Sequence, residues 1–584
     1  MDDERPASVS RRHLLAGMGT AGAALAVTPA PAMAAPASRS AGSSRHLADP
    51  SHFGRMFADL PPFADPTDRV RAALLEVGRQ GGIMDARDDL SAGPRALILD
   101  PAVNGNPTEN DPYGSNPDNP TMTAGSTFVG QFIDHDITFD QTSRLGVRQN
   151  PSTSPNTRTA LLDLDSVFGG GPARHPQLYQ PNDDGTVGPR LRIGSGGVHE
   201  DVPRVASADG SYTALLADPR NDENLLVAGL LCAHLLFYNR ILDELDDLDA
   251  RRLDVFPAVR GAHRAGAHRL GKAEDHLRYL VARQITVWHY QWLLVHEHLP
   301  QVVGQAMVDA VLARPRFYRP TPGHAFLPIE FGGAAYRFGH SMVRPSYRAN
   351  FSSGTGDSSD PAKDPFFALV FDPDEPDFSE PVTHDRDDLL GGFPAPRRYV
   401  GWQTFFDAGD GNVKPNKRID PTISSVLFTL PRTAIAPHTQ HAPLVLPQRN
   451  LLRQLTWGLP SGQSLARRMG TPVLEQSELS DIRAVHAPFS RSTPLWYYVL
   501  AEARSAAQGL HLGPVGGRIV AETLIGLLRA DPTSYLSAAP GFEPFLGTDF
   551  TLGPSPTPTI TGDRSYTRAH FLHYARVLEQ GSYR

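Results

Sequence analysis

Four long stretches of the chain carry apolar residues at helical spacing. From Glu223 to Leu245 the positions Leu226, Leu230, Leu235, Leu242 and Leu245 fall on or near one face, and Asp275–Val303, Pro494–Ala507 and Gly516–Ala530 follow the same rule. Strict strand-like alternation is sparse. The connecting segments 101–122, 171–212, 351–395 and 533–562 are long and rich in Pro, Gly and Asp, which reads as loop. No composition break and no fixed-period repeat divides the chain beyond residue 60. The pattern predicts one large, mainly α-helical domain over 61–584, with long loops and very little β.

Some polar residues interrupt the apolar pattern where a plain core helix would carry none. Gly130-Gln131-Phe132-Ile133-Asp134-His135-Asp136 follows the turn and N-cap chemistry of Thr123 to Thr127, and Phe128, Phe132 and Ile133 supply an apolar face. Gln131 and His135 lie four apart and share a helix face; Asp134 flanks it, and Asp136 points elsewhere. A His and a Gln converging on a pocket suit proton transfer, and the same residues also suit a structural cluster or a metal site. Arg220-Asn221-Asp222-Glu223 opens the next long helix. Its acidic residues match the positive helix end, while Arg220 offers a fixed cation to a developing oxyanion. His340 stands in an apolar stretch where a lone His is usually core; Gly339 leaves room for something flat, and Arg337 precedes it by one turn. Asn450, in Arg449-Asn450-Leu451-Leu452-Arg453, suits the outer-shell contact of a ligating imidazole, accepting a hydrogen bond from its second nitrogen. In extended chain Thr159, Asp163 and Asp165 face one way and Leu161 offers a carbonyl, an all-oxygen set for a hard cation such as calcium or an ordinary acidic turn.

The 584 residues carry 55 Lys and Arg against 63 Asp and Glu, a net charge of −8, and no basic tract suggests nucleic acid or an anionic membrane. Cys232 is the only cysteine, which rules out a disulfide framework and a thiolate metal site. The N-terminus reads as an export signal: Ser10-Arg11-Arg12-His13-Leu14-Leu15 resembles the twin-arginine motif, and Ala32-Met33-Ala34 a cleavage site. The expectation is a signal peptide over 1–34, a small-residue linker over 35–60, no transmembrane segment, and secretion through the twin-arginine translocase.

Five motifs occur in the order seen in the animal-type haem peroxidases: Gly130–Asp136, Thr159–Asp165, Arg220–Glu223, Arg337–His340 and Asn450–Arg453. The chain resembles a bacterial member of that peroxidase–cyclooxygenase superfamily, related to myeloperoxidase and lactoperoxidase, from about residue 60 to the C-terminus. The resemblance implies a haem-dependent enzyme that uses hydrogen peroxide to oxidise halides, thiocyanate or small aromatic donors. It implies that His135 is the distal acid–base, Arg220 the distal arginine and Gln131 the residue touching water or halide. His340 would be the haem-iron ligand and Asn450 its partner. Asp134 and Glu223 would form ester links to haem b, with Arg337 and Arg453 at its propionates. Asp136, Thr159, the Leu161 carbonyl, Asp163 and Asp165 would bind calcium.

The chain departs from the family at several points. Asn224 replaces the methionine that makes a sulfonium link in myeloperoxidase, so chloride is not expected as a substrate. Asp165 stands where serine is commoner, which adds negative charge to the cation site, and Thr138 replaces an acidic residue near one propionate. Rival readings are a haem-dependent fatty-acid dioxygenase, a secreted binding or adhesion protein with a degenerate fold, and a non-haem metalloprotein. The dioxygenases place a radical-forming tyrosine three residues before the proximal histidine; here Arg337 holds that position and Tyr336 lies four before, turned by about 100° on a helix.

Overall fold

The computed structural model describes residues 52–197, 199–246, 273–351, 365–374, 382–432, 442–544 and 566–578, with Ile435 and Thr439. Helices dominate. Those that build the site are α1 (Ala124–Ile137), α2 (Leu225–Asp246), α3 (Ala273–Leu293), α4 (Leu446–Thr456), α5 (Leu495–Ala507) and α6 (Pro514–Ala530). The four helices expected from apolar spacing thus form within a few residues of their sequence-read ends. After α3 the chain continues through a π-helical turn, Leu294–His298, into the short helix Leu299–Val303. The strands among the described residues make two-stranded sheets only, such as Pro415–Lys417 against Asp118–Thr123, as expected of a mainly α domain.

Packing follows the apolar faces. α2 lies against α3 and α1, while α5 packs against α6, α4 and the 3-10 segment Ala335–Met342. The interior of α2 is apolar all round, with Leu226, Val227, Tyr238 and Ile241 excluded from solvent, the signature of a central helix. Leu225–Leu245 is long and apolar enough to cross a membrane, yet 83% of its apolar window is buried in this domain. Gly462 is a point of close approach: a Cβ there would lie 1.9 Å from Tyr498 Cγ on α5.

The expected signal peptide, 1–34, lies outside the described residues, as do residues 35–51 of the expected linker. The remainder of that linker belongs to the core. Phe53–Gly54 pairs in parallel with Leu327–Pro328, the Phe53 ring lies 4.8 Å from that of Trp457 at a tilt of 39°, and Phe57 is buried. Arg55 donates to the carbonyls of Trp457 and Gly458, and the buried Glu330 carboxyl accepts from the backbone of Met56 and Phe57 (3.0 and 3.1 Å). Small residues dominate 35–51, but the aromatic pair in 52–60 has enough apolar surface to be drawn inside.

Replacing Glu330 with Ala orphans those two amides and leaves Arg55 without its nearest carboxylate, a cost of about 2–4 kcal/mol. The expected result is a lower thermal midpoint together with proteolysis between residues 52 and 60. A variant that resists protease as the parent does would show that this segment is held by its aromatic contacts alone.

Candidate active site

The polar residues of α1 converge with the turn that starts α2. His135 Nδ1 lies 2.9 Å from Asn221 Oδ1, and Asn221 Nδ2 donates to the Ser166 carbonyl at 3.2 Å. That second bond turns the amide oxygen towards the ring, so Nδ1 carries the proton and Nε2 keeps its lone pair. Burial, helped by the charge of Arg220, lowers His135 to about 4, leaving a neutral base at pH 7. Its Nε2 is 3.8 Å from Glu223 Oε2, and burial raises Glu223 to about 7 despite the attraction of Arg220. The contact is therefore a neutral ring beside a half-protonated carboxyl, not an ion pair. Gln131 Nε2 donates to Glu223 at 3.2 Å, and Gln131 Oε1 accepts from Asn224 at 3.3 Å. Asn224 itself receives the amides of Leu226 and Val227 and so caps α2.

Arg220 is held from two sides. Its Nε and Nη2 donate to Asp218 at 3.0 and 2.7 Å, and Nη2 also donates to the His135 carbonyl at 2.9 Å. The guanidinium lies 4.1 Å from the centre of the Phe139 ring. Asp218 is fully buried. Burial pushes its carboxyl up, but Arg220 more than reverses this and holds it below the usual range. Neither Asp218 nor Asn221 stands out as a site residue in the sequence: Asp218 counts among the acidic residues that match the positive helix end, and Asn221 as part of a motif centred on Arg220. An Asp two before an Arg at a helix start was the available signal.

Across from α1, which packs against it, the 335–342 segment winds as a 3-10 helix with three residues per turn, so Arg337 eclipses His340. Burial, reinforced by Arg337, lowers His340 to about 3, so this imidazole too is neutral. Asn450 on α4 is 2.7 Å away, as expected, but with its roles reversed. Arg337 Nη1 donates to Asn450 Oδ1 (3.2 Å), which leaves Nδ2 facing His340 Nδ1, so the amide donates where the sequence reading had it accept. A Cβ added to Gly339 would meet no atom within 4 Å, so open space adjoins His340.

Three guanidiniums gather beside it. Arg453 pairs with Asp140 at 2.5 Å, while among the described residues Arg449 is hydrogen-bonded to Thr439 and the Pro443 carbonyl. Burial and mutual repulsion lower Arg337 and Arg449 to about 10. Asp134, on α1, lies in the field of both Arg220 and Arg337. A neutral imidazole, adjacent open space and unbalanced guanidiniums fit a flat cofactor that offers a metal to nitrogen and carboxylates to arginine.

A second cluster lies on the other face of α1. One carboxylate oxygen from each of Asp136, Asp163 and Asp165 lies within 4.8 Å of the others. Asp136 accepts from Leu164 N, Ser166 N and Ser166 Oγ; Asp163 accepts from Thr159 Oγ1 (2.7 Å) and Arg283 (2.8 Å). The segment is not extended, as the two-residue period suggested. Leu162 and Leu164 adopt φ of +55° and +57°, so 159–165 is a tight turn around Leu161 that folds its carboxylates inward. Two left-handed leucines cost roughly 1–2 kcal/mol each, and their burial offsets this. Burial and the charge of Asp163 push both Asp136 and Asp165 above the usual carboxylate range.

Comparison with known proteins bears on what this geometry serves. No curated protein matches the chain at a significant level. Among solved structures it is similar to peroxidase A from Dictyostelium discoideum, at 15% identity over 84% of this chain and 93% of that one, with a TM-score of 0.46. It is also similar to the fatty acid alpha-dioxygenases of Oryza sativa (14%, covering 85% and 78%, TM-score 0.48) and Arabidopsis thaliana (14%, covering 91% and 76%, TM-score 0.49). Residues 140–375, which contain Arg220, Glu223 and His340, match the family model for animal haem peroxidase. The chain thus carries an animal haem peroxidase domain match over residues 140–375, from a family that binds haem.

Proposed function

We propose that the protein is a peroxidase that uses hydrogen peroxide to oxidise small electron donors at a haem liganded by His340. The observation that carries this reading is the bare Nε2 of a neutral His135, oriented by Asn221 and set beside Arg220. When bound, haem supplies the redox iron at which peroxide is reduced by two electrons. Arg337, Arg453 and Arg449 would hold its carboxylates, and Asp134 and Glu223 would be the carboxyls that form ester links. Were His340 to hold the iron through one ring nitrogen, the proton would sit on the other, and Asn450 would have to offer it the oxygen that Arg337 now occupies.

The proton work falls to the chain. His135 Nε2 takes a proton from one peroxide oxygen and returns it to the other, which leaves as water. Arg220 stabilises the negative charge that develops as the O–O bond breaks, and Asp218 keeps its guanidinium aligned. Gln131, hydrogen-bonded to Glu223 and Asn224, is positioned to touch a small anion or water.

Bromide, iodide, thiocyanate or small phenols are the proposed donors. Asn224 caps α2 and provides no thioether for a sulfonium bond, which argues against chloride. The dioxygenase alternative needs an oxidisable tyrosine facing the site. Tyr336 is instead engaged with His298 Nε2 at 3.1 Å and stacked on Phe331. We also propose calcium at Asp136, Asp163 and Asp165, with Thr159 Oγ1 and the Leu161 carbonyl completing an oxygen shell that pins α1. The twin-arginine-like leader supports export by the route that carries folded proteins.

Purified with a haem supply, the protein is expected to show a Soret band that responds to one equivalent of peroxide and reverts on adding bromide or a phenol. His135→Ala should keep the band and slow peroxide-dependent oxidation ~10²–10⁴-fold. Unchanged turnover would remove His135 as the base. Tyr336→Phe should leave donor oxidation intact; fatty-acid oxygenation that vanishes in that variant would favour the dioxygenase. Chelation of calcium, or Asp136→Ala, should lower haem retention and thermal midpoint together. Normal values for both would end the calcium proposal.

A further inference from the structure

The geometry points to Arg158 as a positioning residue that couples the charge state of the Asp136–Asp163–Asp165 cluster to the alignment of Arg220. This rests on the peroxidase and cation readings above and adds a route between the two sites. The Arg158 side chain is 14% exposed and lies between two carboxylates, with Nη1 3.6 Å from Asp165 Oδ2 and Nε 3.3 Å from Asp218 Oδ2. The Nε forms no hydrogen bond to the described residues, so charge rather than directed bonding holds the guanidinium between its two partners. Asp218 in turn holds Arg220, and Arg220 donates to the carbonyl of His135, the residue bonded to Asp136. The result is a closed circuit: Asp136, His135, Arg220, Asp218, Arg158, Asp165, and back to Asp136 across the cluster.

Two arginines compete for one buried carboxylate in this circuit. With no cation in the cluster, Arg158 rests between Asp165 and Asp218, and Asp218 holds Arg220 through two hydrogen bonds. A divalent cation engages Asp165 and repels Arg158, which then leans on Asp218. Asp218 must divide its charge between two guanidiniums, its hold on Arg220 loosens, and Arg220 becomes more available to an anion beside His135. Cation occupancy thereby promotes the peroxide reaction, and by reciprocity an anion bound at Arg220 favours the cation. Arg158 is at the same time a positive competitor for Asp165, so it weakens cation binding.

The two effects have opposite signs in one variant, which separates coupling from plain support of the loop. Full-length protein loaded with haem and stripped with chelator would be titrated with calcium by calorimetry. The rate of its spectral change with peroxide would then be followed across the same calcium range at fixed haem content. For Arg158→Gln the expected results are calcium binding roughly tenfold tighter than in the parent and a peroxide rate that no longer depends on calcium. Arg158→Lys, which keeps the charge, should retain much of the dependence. Weaker calcium binding in Arg158→Gln, or an undiminished calcium dependence of its rate, would overturn the coupling. A parent protein that binds no calcium at all would overturn the cation reading underneath it, a failure seen in the first titration alone.

Discussion

Burying ionisable groups beside one another is tolerated only where each is neutral or paired, and that constraint organises the centre of this protein. His135, His234, His298 and His340 are all pushed down to about 3 or 4 by burial and so sit inside uncharged. Arg220 and Asp218 are charged and neutralise each other, as do Arg453 and Asp140. The neutral histidines give the interior bases with free lone pairs, and the paired arginines give it fixed positive charge. The chemistry proposed for the site needs both, and the apolar helices around it make them affordable by excluding water.

The helical scaffold was legible from the chain because apolar spacing is a local property. α2, α3, α5 and α6 all form close to where the Leu, Val and Ile positions place them. The residues His135, Arg220 and His340 stood out because each breaks an apolar or capping pattern. Their partners did not. Asn221, Asp218, Arg158 and Asp140 sit in ordinary-looking turns, and only the approach of α1 to the 218–224 turn reveals what they hold. The extended reading of Thr159 to Asp165 failed for a related reason: a two-residue period describes side-chain facing only if the backbone is extended, and Leu162 and Leu164 are not. The reversed Asn450 amide was illegible in principle, since its orientation is decided by an arginine more than a hundred residues away in sequence.

Residues 52–60 mark a further limit of composition. Glycine, alanine and serine dominate the chain before them, and the segment inherits the look of a linker. Two phenylalanines and one arginine are enough to change its fate, because Trp457 supplies an aromatic surface and the buried Glu330 supplies acceptors for its amides. A linker assignment needs a check for aromatic residues as well as a count of small ones.

The site is assembled from segments that start at Ala124 and end at Thr456, so no short fragment of the chain contains it. Its proximal half also carries a residual imbalance. Arg337, Arg449 and Arg453 face one another with Asp140 as the nearest bonded carboxylate, and their repulsion is a cost borne by the folded chain alone. A ligand with two carboxylates binds the folded state and not the unfolded one, so it removes that cost and stabilises the fold in proportion to its occupancy. On the proposed reading the same arginines would serve two ends: they would select an anionic cofactor by charge, and its capture would be a step in completing the protein. The cluster on the far face of α1 has the opposite sign, three carboxylates in want of a cation. α1 thus carries His135 towards the Arg220–Asp218 pair and Asp136, adjacent in sequence, towards the carboxylate cluster.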